Sequence, residues 1–142
     1  MEKYRHKVNY YETDRMGITH HSNYLRFMEE ARVDFLEKIG WGYDKLEAMG
    51  IISPVTAVSC QYKESTTFND NIDVYVRVKD FKGVKLVIEY EMIKTSNGHT
   101  ALIGTSEHCF LNSSLRPVRL DRECPEFYTK LRELAQEQEG QA

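Results

Sequence analysis

The chain has 142 residues, 41% hydrophobic and 29% charged, with a net charge of −3; this fits one globular domain with a real core and excludes a disordered chain. Its 19 Lys and Arg are scattered among 22 Asp and Glu, which argues against an electrostatic nucleic-acid binder. No apolar run approaches the roughly 20 residues that span a bilayer, and the polar start MEKYRHKVNYYETD lacks the core of a signal peptide, so a cytoplasmic protein is expected.

The first strand is predicted from Tyr4 to Tyr10, where Tyr4, His6, Val8 and Tyr10 share a face by period two. Tyr11 to Ser22 reads as loop. Ser22 or Asn23, both good N-cap residues, opens a helix that runs to about Ile39 and stops at Gly40. Tyr24, Phe27, Met28, Ala31, Phe35 and Ile39 recur at helical spacing. Leu25, Val33 and Leu36 add a second apolar face, so this helix is expected to be enclosed. A short helix is placed over Tyr43 to Met49. Strands follow over Ile52 to Glu64, Ile72 to Phe81, Val84 to Thr95 and Thr100 to Leu111. Lys82-Gly83 and Asn97-Gly98 mark the turns between the last three. Pro117 and Pro125 punctuate the tail, and Glu126 to Glu139 reads as a mostly polar helix whose end frays.

One long helix and a run of strands joined by tight turns make an α+β layout with one sheet. An enclosed helix beside one sheet implies that the sheet curls round it. Such a sheet keeps an open face and a long edge, and both invite a partner. At least a homodimer is expected.

The chemistry concentrates between Tyr10 and Arg32. Asp14 sits in a Gly17-containing turn, followed by His20, His21, Ser22 and Asn23 as the long helix begins. A helix N-terminus offers unpaired backbone N–H groups, and its dipole favours negative charge. A carboxylate beside such donors can attack a polarised carbonyl or activate water against it. Turn capping by Asp14 is the rival reading, as is simple turn punctuation by Gly17. Tyr24 starts the apolar stripe and reads as core as well as pocket wall. Glu29 and Arg32 have ion-pair spacing. Cys60, Cys109 and Cys124 leave an odd count without close spacing, which suggests reduced thiols rather than a disulfide framework or a zinc site. Arg116, Arg119 and Arg122 form a basic cluster that Asp121 and Glu123 interrupt. Gly104 to His108 starts like a nucleophile elbow but lacks the second glycine. Asp14, His20 and His21 are weak evidence for a metal site.

The sequence resembles the 4-hydroxybenzoyl-CoA thioesterase family of hotdog-fold proteins. The family pattern Tyr-x-Glu-Thr-Asp-x-x-Gly, His-x-Asn-Tyr, Glu-x-Ala-Arg is matched by Tyr10 to Gly17, His21 to Tyr24 and Glu29 to Arg32. Tyr62 to Asp70 is similar to the family's strand-to-turn region. His20, Ser65 and Arg15 depart from the usual pattern. The resemblance implies a single hotdog domain over residues 1–142, an antiparallel sheet wrapped around a long central helix, and assembly as a homodimer or homotetramer. It implies hydrolysis of acyl-CoA thioesters, with no cofactor beyond the coenzyme A of the substrate.

Carried over residue by residue, the resemblance makes Asp14 the catalytic carboxylate, as nucleophile or general base. A thioester carbonyl is already electrophilic and coenzyme A thiolate is a tolerable leaving group, so one carboxylate can suffice without a triad. Backbone N–H groups around His21 and Ser22 would hold the carbonyl oxygen, and the His21 side chain is a catalytic candidate. Gly17, Ser22, Asn23 and Tyr24 would line the substrate site. Glu29 is a reserve base. Lys82 and Lys85, beside the Gly83 turn, would contact the phosphates of CoA, with a solvated turn as the rival reading. Two other classes stay open: a hotdog enoyl-CoA hydratase, whose Asp-x-Asn-Pro core is missing here, and a non-catalytic acyl-CoA or acyl-carrier binding module.

Overall fold

A computed structural model describes residues 3–140, with the side chains of residues 138–140 outside the description. The strands are β1 (Lys3–Lys7), β2 (Val55–Tyr62), β3 (Asn71–Phe81), β4 (Leu86–Lys94) and β5 (Thr100–His108). The helices are α1 (Ser22–Lys38), α2 (Tyr43–Ala48), α3 (Leu120–Glu123) and α4 (Pro125–Gly140), and a 3-10 turn spans Tyr10–Glu12. The strands form one five-stranded antiparallel sheet in the order β1-β3-β4-β5-β2, so β1 and β2 are its edges. In the β1–β3 ladder His6 stands opposite Ile72 and Arg5 opposite Asp73. Arg5 and Lys3 both reach the Asp73 carboxylate, at 2.7 and 3.1 Å. The Arg5 hydrogen bond is the main reason that carboxyl is held below its ordinary range.

The chain divides into two compact units. The first comprises Met1–Phe35, Cys60–Val76 and Tyr90–Gly104. Its core takes the stripe Tyr24, Phe27, Met28 and Ala31 from α1 together with Ile72, Val74, Tyr90 and Leu102. This is i, i+3, i+4, i+7 spacing, one face of a helix. The second apolar face expected on α1 is absent at its start, because Leu25 is 44% exposed. Leu25 lies about 100° round the helix from Tyr24, beside the exposed Arg26 and Glu29. Arg32 is buried and donates to the Tyr90 hydroxyl at 3.1 Å.

The second unit comprises Leu36–Ser59, Arg77–Glu89 and Thr105–Ala142. Aromatic rings hold it together: Trp41 stacks on Phe127 at 5.2 Å, and Phe81 meets Phe110 and Tyr128 edge-on. Phe127, Leu131 and Ala135 of α4 are buried at four-residue spacing, so α4 packs through an apolar stripe. The expected fraying of its end falls on side chains outside the described residues. Helix α3 was not expected from the sequence.

Three strand ends, at β1, β2 and β5, fall three residues short of expectation. β1 stops at Lys7, and Tyr10 is 76% exposed rather than facing inward. The chain leaves the sheet there because the Glu12 side chain reaches back to the Asn9 N–H at 2.7 Å and winds Tyr10–Glu12 into a turn. Ile52 and Leu111, expected inside strands, meet instead in an isolated bridge.

Candidate functional site

All of the predicted residues from Asp14 to Tyr24 lie in the first unit. Thr13 and Thr19 form an antiparallel bridge, and the chain between them is a tight turn. Asp14 N donates to Ile18 O at 2.9 Å, and Gly17 N donates to Asp14 O at 3.0 Å. Asp14 Oδ1 accepts the Met16 N–H at 2.8 Å, which is an Asx turn. Gly17 closes it at φ +78°, a left-handed conformation natural to glycine. The Asp14 carboxylate is half-exposed at the surface of the unit.

The turn is anchored from one side by threonines. Thr19 N and Oγ1 both donate to Thr66 O, at 2.8 and 3.2 Å, and the two hydroxyls lie 2.6 Å apart. The Tyr24 hydroxyl is 3.0 Å from Thr66 Oγ1, and Thr67 Oγ1 donates to Gly17 O at 2.7 Å. Thr19 and Thr66 are buried. Buried hydroxyls that are mutually satisfied fix geometry, because each would be costly to leave unpaired.

From the other side the turn is anchored by Glu12, which is 4% exposed. Its Oε1 accepts from His6 Nε2, Asn9 N and Asn9 Nδ2, at 2.9, 2.7 and 3.2 Å. His6 Nδ1 lies 3.1 Å from Glu30 Oε2, the same oxygen that accepts the Tyr4 hydroxyl. Burial, followed by the Glu30 charge, pushes the Tyr4 phenol up to about 12. The His6 ring lies on Phe27 at 4.0 Å between centroids.

At the start of α1 most of the backbone donors are occupied. His20 N donates to Glu12 O at 2.8 Å, Asn23 N to His20 O at 3.0 Å and Tyr24 N to His21 O at 3.2 Å. Ser22 N donates to His20 Nδ1 at 3.2 Å, and Ser22 Oγ lies 2.8 Å from the same nitrogen. Among the described residues none accepts the main-chain N–H of His21. The His21 ring is exposed, stacks on His20 at 4.4 Å and meets Tyr62 edge-on at 6.4 Å. Tyr24 and Tyr62 lie 5.6 Å apart.

The structure places the Asp14 turn, Gly17, His21, Ser22, Asn23 and Tyr24 in one unit. Asn23 is buried and its amide donates to Glu12 O at 2.9 Å. Lys82 and Lys85 lie in the other unit and are exposed, and Lys85 Nζ is 3.2 Å from Glu107 Oε1. Glu29 is exposed on α1. Sequence reasoning missed Glu12, His6 and Thr66 as parts of the scaffold. The spacing Asn9-x-x-Glu12 is a capping-box signal that would have found the first. Ser106 and His108, from the rejected elbow, lie 2.7 Å apart but are buried at 1% exposure. Among the described residues no group of three or more His, Cys, Asp or Glu is placed to hold a metal ion. None of the described helices is long and apolar enough to cross a membrane.

A family model described as the thioesterase-like superfamily matches residues 8–133. The chain belongs to this superfamily. The similarity extends to YneP of Bacillus subtilis (strain 168), 32% identical over 124 residues covering 87% of this chain and 89% of that relative. It extends also to the acyl-CoA thioesterase YbgC of Helicobacter pylori, 24% identical over 81% of this chain and 73% of the relative. Among solved structures, a DHNA-CoA thioesterase from Staphylococcus aureus superposes with a TM-score of 0.88 at 33% identity, covering 95% of this chain and 93% of that one. The five-stranded antiparallel sheet with its helices is the hotdog fold of these thioesterases.

Proposed function

We propose that this acyl-CoA thioesterase works through Asp14 and the main-chain N–H of His21, in the cytoplasm and as a homodimer or homotetramer. The observation that carries the reading is the state of the donors around α1. Those of His20, Ser22, Asn23 and Tyr24 are engaged within the chain, and among the described residues none accepts that of His21. The thioester carbonyl oxygen takes that donor. An Asp14 oxygen, or a water deprotonated by it, forms a bond to the carbonyl carbon. The C–O π electrons move to the oxygen, where the N–H stabilises the charge. As the carbonyl reforms, the C–S bond breaks and CoA thiolate leaves. If Asp14 attacks directly, water then hydrolyses the acyl-aspartyl anhydride and frees the acid.

An aromatic acyl group suits the rings at the site. The exposed rings of His21 and Tyr62, which meet edge-on, are available to a flat substrate, and the S. aureus relative is named a DHNA-CoA thioesterase. The exposed Lys82 and Lys85 are suited to CoA phosphates. Edge strand β2 has no buried residue, and Val55, Val58 and Tyr62 are exposed along it, which supports pairing with a second copy.

The test is a thiol-release assay over aromatic, short, long and branched acyl-CoAs. Wild type is expected to release CoA, fastest from the aromatic thioesters. Asp14→Asn is expected to lower turnover by about 10³-fold or more with the circular dichroism spectrum unchanged, since Asn can still accept from Met16 N. Near-normal turnover in that variant removes Asp14 from the reaction.

A further inference from the structure

The Glu12 carbonyl links two elements that the proposed reaction needs in fixed relation. It lies two residues before Asp14, and it accepts both His20 N and Asn23 Nδ2, at 2.8 and 2.9 Å. A carbonyl has two acceptor sites, and both are used. One bond comes from the residue preceding His21, the other from a side chain in the first turn of α1. We infer that Asn23 and Glu12 are positioning residues that set the Asp14 turn against the His21 N–H, and that Asn23 does not contact the acyl group. The inference rests on the thioesterase reading above.

Two features make this carbonyl a fixed point. The Glu12 carboxylate is buried and accepts three hydrogen bonds from His6 and Asn9, so residue 12 cannot swing without leaving a buried charge unpaired. His6 is itself held by the β1–β3 ladder and by Phe27. The sheet edge therefore fixes residue 12, and residue 12 fixes both the turn and the helix start. Asn23 is 8% exposed, so its amide has a structural partner and little surface to offer a substrate. A displacement of about 1 Å between reacting groups costs on the order of 10²-fold in rate. Loss of the Asn23 bond should therefore appear in kcat.

The experiment uses Asn23→Ala, and Asn23→Asp as a shape-conserving variant that cannot donate. Each is assayed by thiol release on an aromatic and a long-chain acyl-CoA, and by amide hydrogen exchange with no substrate present. The expected result is a kcat lowered about 10²-fold for both substrates, with KM within about twofold of wild type. Exchange should accelerate over residues 13–21 but not over residues 71–81. A KM that rises with acyl length while kcat holds would make Asn23 a pocket wall and overturn the inference. Unchanged exchange over residues 13–21 would overturn it too. Absence of thiol release by wild type on the whole panel would instead sink the thioesterase reading, and the exchange data would still decide whether Asn23 holds the turn.

Discussion

Two turns in the first unit are built alike and surrounded differently. At the first, Asp14 Oδ1 accepts the N–H two residues on and Gly17 sits at φ +78°; at the second, Asn97 Oδ1 accepts the His99 N–H and Gly98 sits at φ +74°. Around the Asp14 turn the partners are buried: Thr19, Thr66, Glu12 and Asn23. Around the Asn97 turn they are exposed or half-exposed, where Glu64 gathers Lys94, Asn97 and His99. Local turn chemistry is thus common to a hairpin that only reverses the chain and to one that presents a carboxylate. The buried polar frame separates them, because it resists displacement in a way that a solvated ion cluster does not.

The sharpest way to break this comparison is to exchange the turn residues. Asp14→Asn should slow thiol release by about 10³-fold or more, whereas Asn97→Asp should leave kcat within about twofold, since only one of the two turns lies in the proposed reaction. Next in size is a matched glycine pair. A Cβ at Gly17 or at Gly98 would meet nothing within 4 Å, so the cost in each case is the left-handed backbone alone, about 1–2 kcal/mol. Chemical denaturation should therefore find Gly17→Ala and Gly98→Ala equally destabilised. Assays should find only Gly17→Ala slowed, by about tenfold or more; equal activity in both would erase the functional distinction.

Thr66→Val probes the buried frame. It removes the hydroxyl that lies against Thr19 Oγ1 and the Tyr24 hydroxyl. Denaturation should show a loss of about 1–3 kcal/mol. The smallest effect belongs to Glu64. The His99 hydrogen bond, with those from Asn97 and Lys94, holds its carboxyl below the ordinary range. A group depressed on folding adds stability above its unfolded value, about 4.3, which is lost as pH falls toward the folded value. Glu64→Gln should therefore narrow the gap between the melting temperatures at pH 7 and pH 3, with turnover at neutral pH unchanged.

Much of this contrast was legible in the sequence. The Asn97-Gly98 turn, the start of α1 at Ser22 and the stripe Tyr24, Phe27, Met28 and Ala31 follow from local chemistry and periodicity, and they are where they were expected. The frame was not legible, because it is made by residues far apart in sequence: Thr19 meets Thr66, and Tyr24 meets Thr66. Period two carried the first strand too far, since it has no means of registering that Glu12 turns back on Asn9. Short α3 was missed for a similar reason: four residues, Leu120–Glu123, are too few to show a period. The Asn23 bond to the Glu12 carbonyl was not legible either, because residue type alone does not say whether an amide faces a ligand or its own backbone.

The position of His6 on a five-residue edge strand has a practical consequence. A bulky fusion at the amino end, or a protease nick that peels away β1, would strip Glu12 of one of its partners. The helices would survive in the far-ultraviolet spectrum while catalysis faded. Preparations tagged at opposite ends should therefore be compared before any low rate is attributed to the wrong acyl group.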